Sequence, residues 1–272
     1  MSLANGPPAG RLRLPVRAVD REPPLVYGPV DSLRYGRSLG INLLPAGLRL
    51  CNFDCLYCQC GGRRSDRRER DDPPFPTLGQ LERELSSALT QGPFVDDICF
   101  AGAGEPTMHP RFREAVLLAR SLRNELAQRA TVTVLSNGTA AGKPEVRAAL
   151  ALADRAVLKL DAARDDLLAA LDRPPSGLSA RRLVRALAEM IGLETQTMLV
   201  RGPVDNATPE ALDALGDALR FIFPRRAYLG TITRRPAAAA EASALVPLAA
   251  PELERAAVRV RRRAPGVDVR VY

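Results

Sequence analysis

The chain has 272 residues, 46% of them hydrophobic and 26% charged, which is enough apolar mass for a buried core and excludes a disordered segment. No apolar run approaches the ~18 residues that cross a bilayer, and MSLANGPPAGRLRLP has no signal-peptide pattern, so a cytoplasmic protein with no membrane partner is expected. The net charge of +8 admits RNA as a partner, but only Lys143 and Lys159 of the 39 basic residues are lysines, so the charge reads as compositional bias as much as a binding surface.

Residues 1–38 form a Pro- and Gly-rich N-terminal extension. Strand-length apolar runs follow at 39–44, 97–101, 131–135, 156–161, 195–200 and 227–232. Between them lie helical patterns. The first, at 78–92, starts after Thr77 as N-cap and stops at Gly92; the second, at 109–129, has Pro110 near its start. Further helices are expected at 143–153, 179–192 and 208–222, the last with Thr208 as N-cap and Pro209 at its first position. A low-complexity connector at 236–251, a helix at 251–264 and a strand at 267–272 complete the chain. Alternating strands and helices imply right-handed crossovers and a parallel sheet. The expected fold class is α/β, a partial (β/α)6 TIM-type barrel at 39–235 with short extensions at 1–38 and 236–272.

In such a barrel the chemistry gathers at the C-terminal ends of the strands. The loop after the first strand holds CNFDCLYC, which places Cys51, Cys55 and Cys58 within eight residues. A structural zinc ion takes four ligands. Here the only histidine is His109, read as a helix cap, and Cys60 is so close to Cys58 that both would strain around one ion. Three thiolates suit a [4Fe–4S] cluster with one iron left open. Cys99, in the apolar run VDDICFA, reads as a core residue. Lys159 and Asp161 sit two apart on a strand and face one way, while Leu158 and Leu160 face the other. Thr197, Arg201, Thr231 and Thr233 are further candidates for the same cavity.

CNFDCLYC resembles the CxxxCxxC motif of the radical S-adenosylmethionine superfamily, with Tyr57 as the aromatic before the third cysteine. YGPVDSLRYGRSLGINLLP, AGAGEPTMHP, VLSNGT, VLKLDAA, QTMLVRGPVDN and LGTITRRPA resemble, in order, segments of the Fe–S oxidoreductases related to wyosine-tRNA synthases. The resemblance implies that Cys51, Cys55 and Cys58 ligate a [4Fe–4S] cluster and that S-adenosylmethionine binds its open iron. One electron then cleaves the cofactor to methionine and a 5′-deoxyadenosyl radical, which abstracts hydrogen from a substrate. It assigns Gly102, Gly104, Glu105 and Pro106 to the cofactor's methionine moiety, with Glu105 accepting from its ammonium, and Ser136 and Asn137 to its ribose or carboxylate. Lys159 and Asp161 are the candidate catalytic pair. A reducing donor such as flavodoxin or ferredoxin is an implied partner.

Residues 1–50 contain no cysteine and none follows Cys99, which disfavours the second cluster of wyosine synthases and the auxiliary clusters of peptide-modifying relatives. Two other readings stay open on the sequence: a zinc-stabilised RNA-binding module on Cys51, Cys55, Cys58 and Cys60, and a non-catalytic scaffold that binds cluster and cofactor.

Overall fold

The computed structural model describes residues 23–60, 74–234, 236–237 and 244–272. The stretch RRSDRRERDD at 63–72, most of the N-terminal extension and residues 238–243 of the connector lie outside them. Two strands, β1 (Val26–Ser32) and β2 (Gly36–Ile41), form an antiparallel hairpin. From β2 onward the sheet is parallel: β3 (Asp97–Phe100), β4 (Thr131–Ser136), β5 (Arg155–Lys159), β6 (Glu194–Arg201) and β7 (Arg226–Thr231) follow in sequence order. A short β8 (Val246–Pro247) runs antiparallel to β6, and β9 (Val269–Val271) extends the sheet beyond β7. The order runs from β1 to β9 without returning on itself, so the barrel is partial.

Helices α1 (Leu78–Gln91), α2 (Phe112–Leu126), α3 (Pro144–Leu150), α4 (Asp165–Leu171), α5 (Ala180–Ala188), α6 (Pro209–Ile222) and α7 (Ala250–Arg263) carry the crossovers. Thr77 closes a capping box with Gln80 at the start of α1, and the Thr208 side chain accepts from the Ala211 amide ahead of α6, as their sequences require. Strand alternation sorts the side chains. Ile41, Ile98, Phe100, Val132, Val134, Leu158, Leu160, Leu199 and Leu229 are all buried in the main core with the helices. The lumen side is polar: Asp97 accepts from Ser38 Oγ at 2.9 Å and Thr133 Oγ1 at 2.6 Å.

The sequence reading differs from the structure at three elements: β1, α4 and the short β8, which lies in the stretch read as a connector. Strand β1 falls within the stretch read as an extension, because Gly28 and Pro29 look like turn residues; they form an irregularity between Tyr27 and Val30. Gly40 on β2 lets the Tyr27 ring lie across it, since a Cβ there would sit 2.1 Å from the ring's Cζ. Helix α4 was not expected at all.

Candidate active site

Four polar segments meet at the C-terminal ends of β2 to β5. The cysteine loop leaves β2 and returns to the loop after β3: the Glu105 amide donates to the Leu50 carbonyl at 3.0 Å, and Leu50 and Gly104 form an isolated parallel bridge. On its other side the loop is tied to the end of α4, with the Asp54 and Leu56 amides donating to the carbonyls of Asp172 and Leu171 at 3.0 and 2.8 Å. A cavity of about 190 Å³ opens between these elements. Cys51, Cys55, Tyr57, Gly104, Glu105, Ser136, Asn137, Lys159 and Asp161 all line it, so segments more than a hundred residues apart converge as the sequence predicts. Gly102, Pro106 and Cys58 are not among its lining residues. Gly102 has another constraint: a Cβ would meet Asn42 Oδ1 at 2.4 Å, and that oxygen accepts from the Ala103 amide.

Cys51 is buried, accepts from the Phe53 amide at 3.4 Å and faces Asn137 Nδ2 at 3.7 Å. Burial pushes the Cys51 thiol up to about 11 and the Cys55 thiol well above its ordinary value. Cys60 is exposed, its Sγ 3.6 Å from the Gly102 carbonyl. Asn137 holds the loop in place, donating to Asn52 Oδ1 at 2.6 Å and accepting from the Thr139 amide at 3.0 Å.

Glu105 is more committed to the protein than the sequence indicates. Its carboxylate accepts from the Thr107 amide and hydroxyl, Ser136 Oγ and the Asn137 amide at 2.7–3.1 Å. Three of these donors meet Oε1 and only the Asn137 amide meets Oε2, so of the roughly four acceptor positions of a carboxylate one on Oε2 stays open. Burial pushes this carboxyl up from its ordinary value in spite of the four bonds.

Lys159 Nζ bonds to both Tyr57 OH and Asp161 Oδ2, which also bond to each other. Asp161 Oδ1 accepts from the Met198 amide at 2.8 Å. A second carboxylic acid joins them: Asp172, at the end of α4, lies 2.7 Å from Lys159 Nζ and is 1% exposed. Neither Asp172 oxygen has an aligned hydrogen bond, since Nζ is aimed at Asp161 and Tyr57. Burial and the neighbouring Asp161 push the Asp172 carboxyl up to about 7, against the pull of Lys159. The two carboxylates keep Lys159 protonated, well above its ordinary value despite burial.

Asp172 is absent from the sequence reading. Its signal is an acid at a helix C-terminus, where the macrodipole disfavours it, followed by Arg173 at φ +46° and two prolines. Gln196 is the polar residue of the cavity lining that the sequence reading misses, alongside the apolar Phe53, Leu135 and Val157. Thr197 was chosen instead, but alternation turns it outward, where its hydroxyl donates to the Leu160 carbonyl. Thr231 donates to the Leu199 carbonyl and Arg201 pairs with Glu252, so neither enters the cavity. His109 does not cap α2, whose N-cap is Arg111 with no side-chain cap bond; the His109 ring instead accepts from the Arg111 amide at 3.0 Å just ahead of the helix.

Among the described residues no three His, Cys, Asp or Glu side chains converge on one point as a single ion demands. The zinc reading therefore has no support in the geometry. Three thiols spread along one loop fit a polynuclear cluster, whose irons are ligated at separate corners.

The chain is thus of a definite class, an open parallel barrel with a three-cysteine loop after its first parallel strand, beside a polar cavity at the strand ends. Residues 48–215 match the family model described as the Radical SAM superfamily, and the chain belongs to that superfamily. A UPF0026 protein from Synechocystis sp. is 34% identical over 78% of this chain and 76% of its own length. GTPase Obg from Brachyspira hyodysenteriae is 29% identical over 77% of this chain, which spans 30% of that protein. Among solved structures, SuiB of Streptococcus suis bound to S-adenosylmethionine has a TM-score of 0.59 at 15% identity, covering 83% of this chain and 48% of its own. TYW1 with a lysine-pyruvate adduct bound also has a TM-score of 0.59, at 14% identity, covering 83% of this chain and 73% of its own. These likenesses establish the partial-barrel fold. The superfamily uses a [4Fe–4S] cluster and S-adenosylmethionine, and its members need a reductant and a substrate. No helix among the described residues is long and apolar enough to cross a membrane.

Proposed function

We propose that this chain is a single-cluster radical enzyme in which Cys51, Cys55 and Cys58 hold a [4Fe–4S] cluster and the cavity beside them takes S-adenosylmethionine. When bound, the pair supplies reductive C–S cleavage to methionine and a 5′-deoxyadenosyl radical that abstracts hydrogen from a substrate. The observation that carries this reading is the convergence of Cys51 and Cys55 with Gly104, Asn137, Lys159 and Asp161 around one cavity at the strand ends.

The cavity wall has a charge suited to this cofactor, whose sulfonium and ammonium outweigh its carboxylate. Lys159 keeps its proton, and the two acids beside it bring the trio to between neutral and one negative charge as Asp172 titrates. Asp161, fixed by Lys159, Tyr57 and the Met198 amide, orients that wall. Glu105 acts as a tie that fixes the end of β4 to the loop after β3. Gln196 lines the cavity on the lumen side.

Single replacements of the thiols test the ligand set. Cys51→Ala, Cys55→Ala and Cys58→Ala should each abolish the visible Fe–S absorption of anaerobically reconstituted protein, while Cys60→Ala and Cys99→Ala retain it. Loss of the absorption in Cys60→Ala alone would contradict the three-ligand assignment.

A further inference from the structure

Arg49 stands two residues before Cys51, and only 3% of its side chain is exposed. A guanidinium stays charged, and burying it without a counter-charge costs several kcal/mol. Its partners within the protein are weak. Nη1 donates to Asp54 Oδ1 and Nη2 to the Phe53 carbonyl, both at 3.2 Å, long for charge-assisted bonds. Asp54 is itself 30% exposed, so water screens it. Nε is buried with no hydrogen-bond partner. Both acceptors lie between Cys51 and Cys55, so the guanidinium is braced across the turn that carries the thiols.

We infer that Arg49 is the buried counter-ion of the cluster, held behind the cysteine loop to offset the negative charge that reduction adds, and so raises the cluster's reduction potential. The inference rests on the ligand assignment above. Uptake of one electron adds one negative charge and moves no proton. Net charge and solvent exposure are the levers that set such potentials, and a fixed cation in a low-dielectric site acts on the reduced state more than on the oxidised one.

The test is a potentiometric titration of reconstituted protein with dithionite, followed by EPR of the reduced cluster, in wild type, Arg49→Lys, Arg49→Gln and Asp54→Asn. Arg49→Gln should keep the cluster, with its reduced-to-oxidised ratio at the wild-type midpoint lowered about tenfold or more, roughly 59 mV downward for a one-electron couple. Arg49→Lys keeps the charge and should shift far less. Asp54→Asn removes the opposing carboxylate and should shift the midpoint upward. An unchanged midpoint in cluster-loaded Arg49→Gln, or equal shifts in the Lys and Gln variants, would overturn the inference. So would cluster loss from both Arg49 variants together with an unshifted Asp54→Asn. A wild type that takes up no cluster would instead refute the ligand assignment and is recognised before any variant is compared.

Discussion

Glu105 and Asp172 are both buried carboxyls, and their surroundings set them opposite tasks. Accepting from Thr107, Ser136 and Asn137, Glu105 holds two loops together. Glu105→Gln turns an acceptor into a donor facing the Asn137 amide or the hydroxyls. It should cost about 2 kcal/mol, seen as a Tm lowered by roughly 4–8 °C in thermal unfolding. An unshifted Tm with weakened cofactor binding would restore Glu105 as a direct ligand of the ammonium. Asp172 has no aligned donor, and its carboxyl is pushed up to about 7. The folded chain holds this proton more tightly than the unfolded one, so the associated stability is complete below about pH 4 and is lost as pH rises toward about 7. Asp172→Asn cannot ionise. Its stability relative to wild type should therefore improve between pH 5 and 7.5, by on the order of 2 kcal/mol, in urea midpoints measured across that window. A parallel pH dependence in the two proteins would show that Asp172 is not held protonated. The positions of Glu105, Lys159 and Asp161 were legible because motif order and strand alternation fix them. Their partners were not, since a sequence does not show that the end of α4 folds back to Lys159.

Among the elements, the cysteine loop depends on its contact with the loop after β3. Gly104 has φ +157°, and a Cβ there would lie 1.9 Å from the Leu50 carbonyl oxygen, a backbone atom that cannot swing aside. Gly104→Ala should push the two loops apart, destabilise the fold by about 1–3 kcal/mol and reduce iron and sulfide bound per chain after reconstitution. Wild-type iron content in this variant would show that the cysteine loop holds its shape without the bridge. The six parallel strands could be read because each is an apolar run with a helix after it. Strand β1 and helix α4 could not: β1 is broken by Gly28 and Pro29, and α4 is seven residues long with only Leu168 and Leu171 fully buried.

At the scale of the whole molecule, part of the charge that admitted an RNA partner is paired across elements among the described residues. The stretch VRVRRRAP looks uncompensated in sequence. In the fold, Arg259 and Arg263 on α7 meet Asp213 and Asp217 on α6, and Arg261 reaches Glu254. Those partners lie far away in the chain or about two turns back along the helix, so a linear count of charge misses them. The basic balance thus carries less weight for function than the cavity at the strand ends. In the proposed function this cavity binds S-adenosylmethionine for cleavage by an electron from a cluster on Cys51, Cys55 and Cys58. The most direct test of that function is anaerobic reconstitution with iron and sulfide, addition of S-adenosylmethionine and dithionite, and chromatographic detection of 5′-deoxyadenosine. The account predicts 5′-deoxyadenosine from the wild type and none from Cys55→Ala. A wild type that carries its cluster, is reduced by dithionite and still releases no 5′-deoxyadenosine would contradict it.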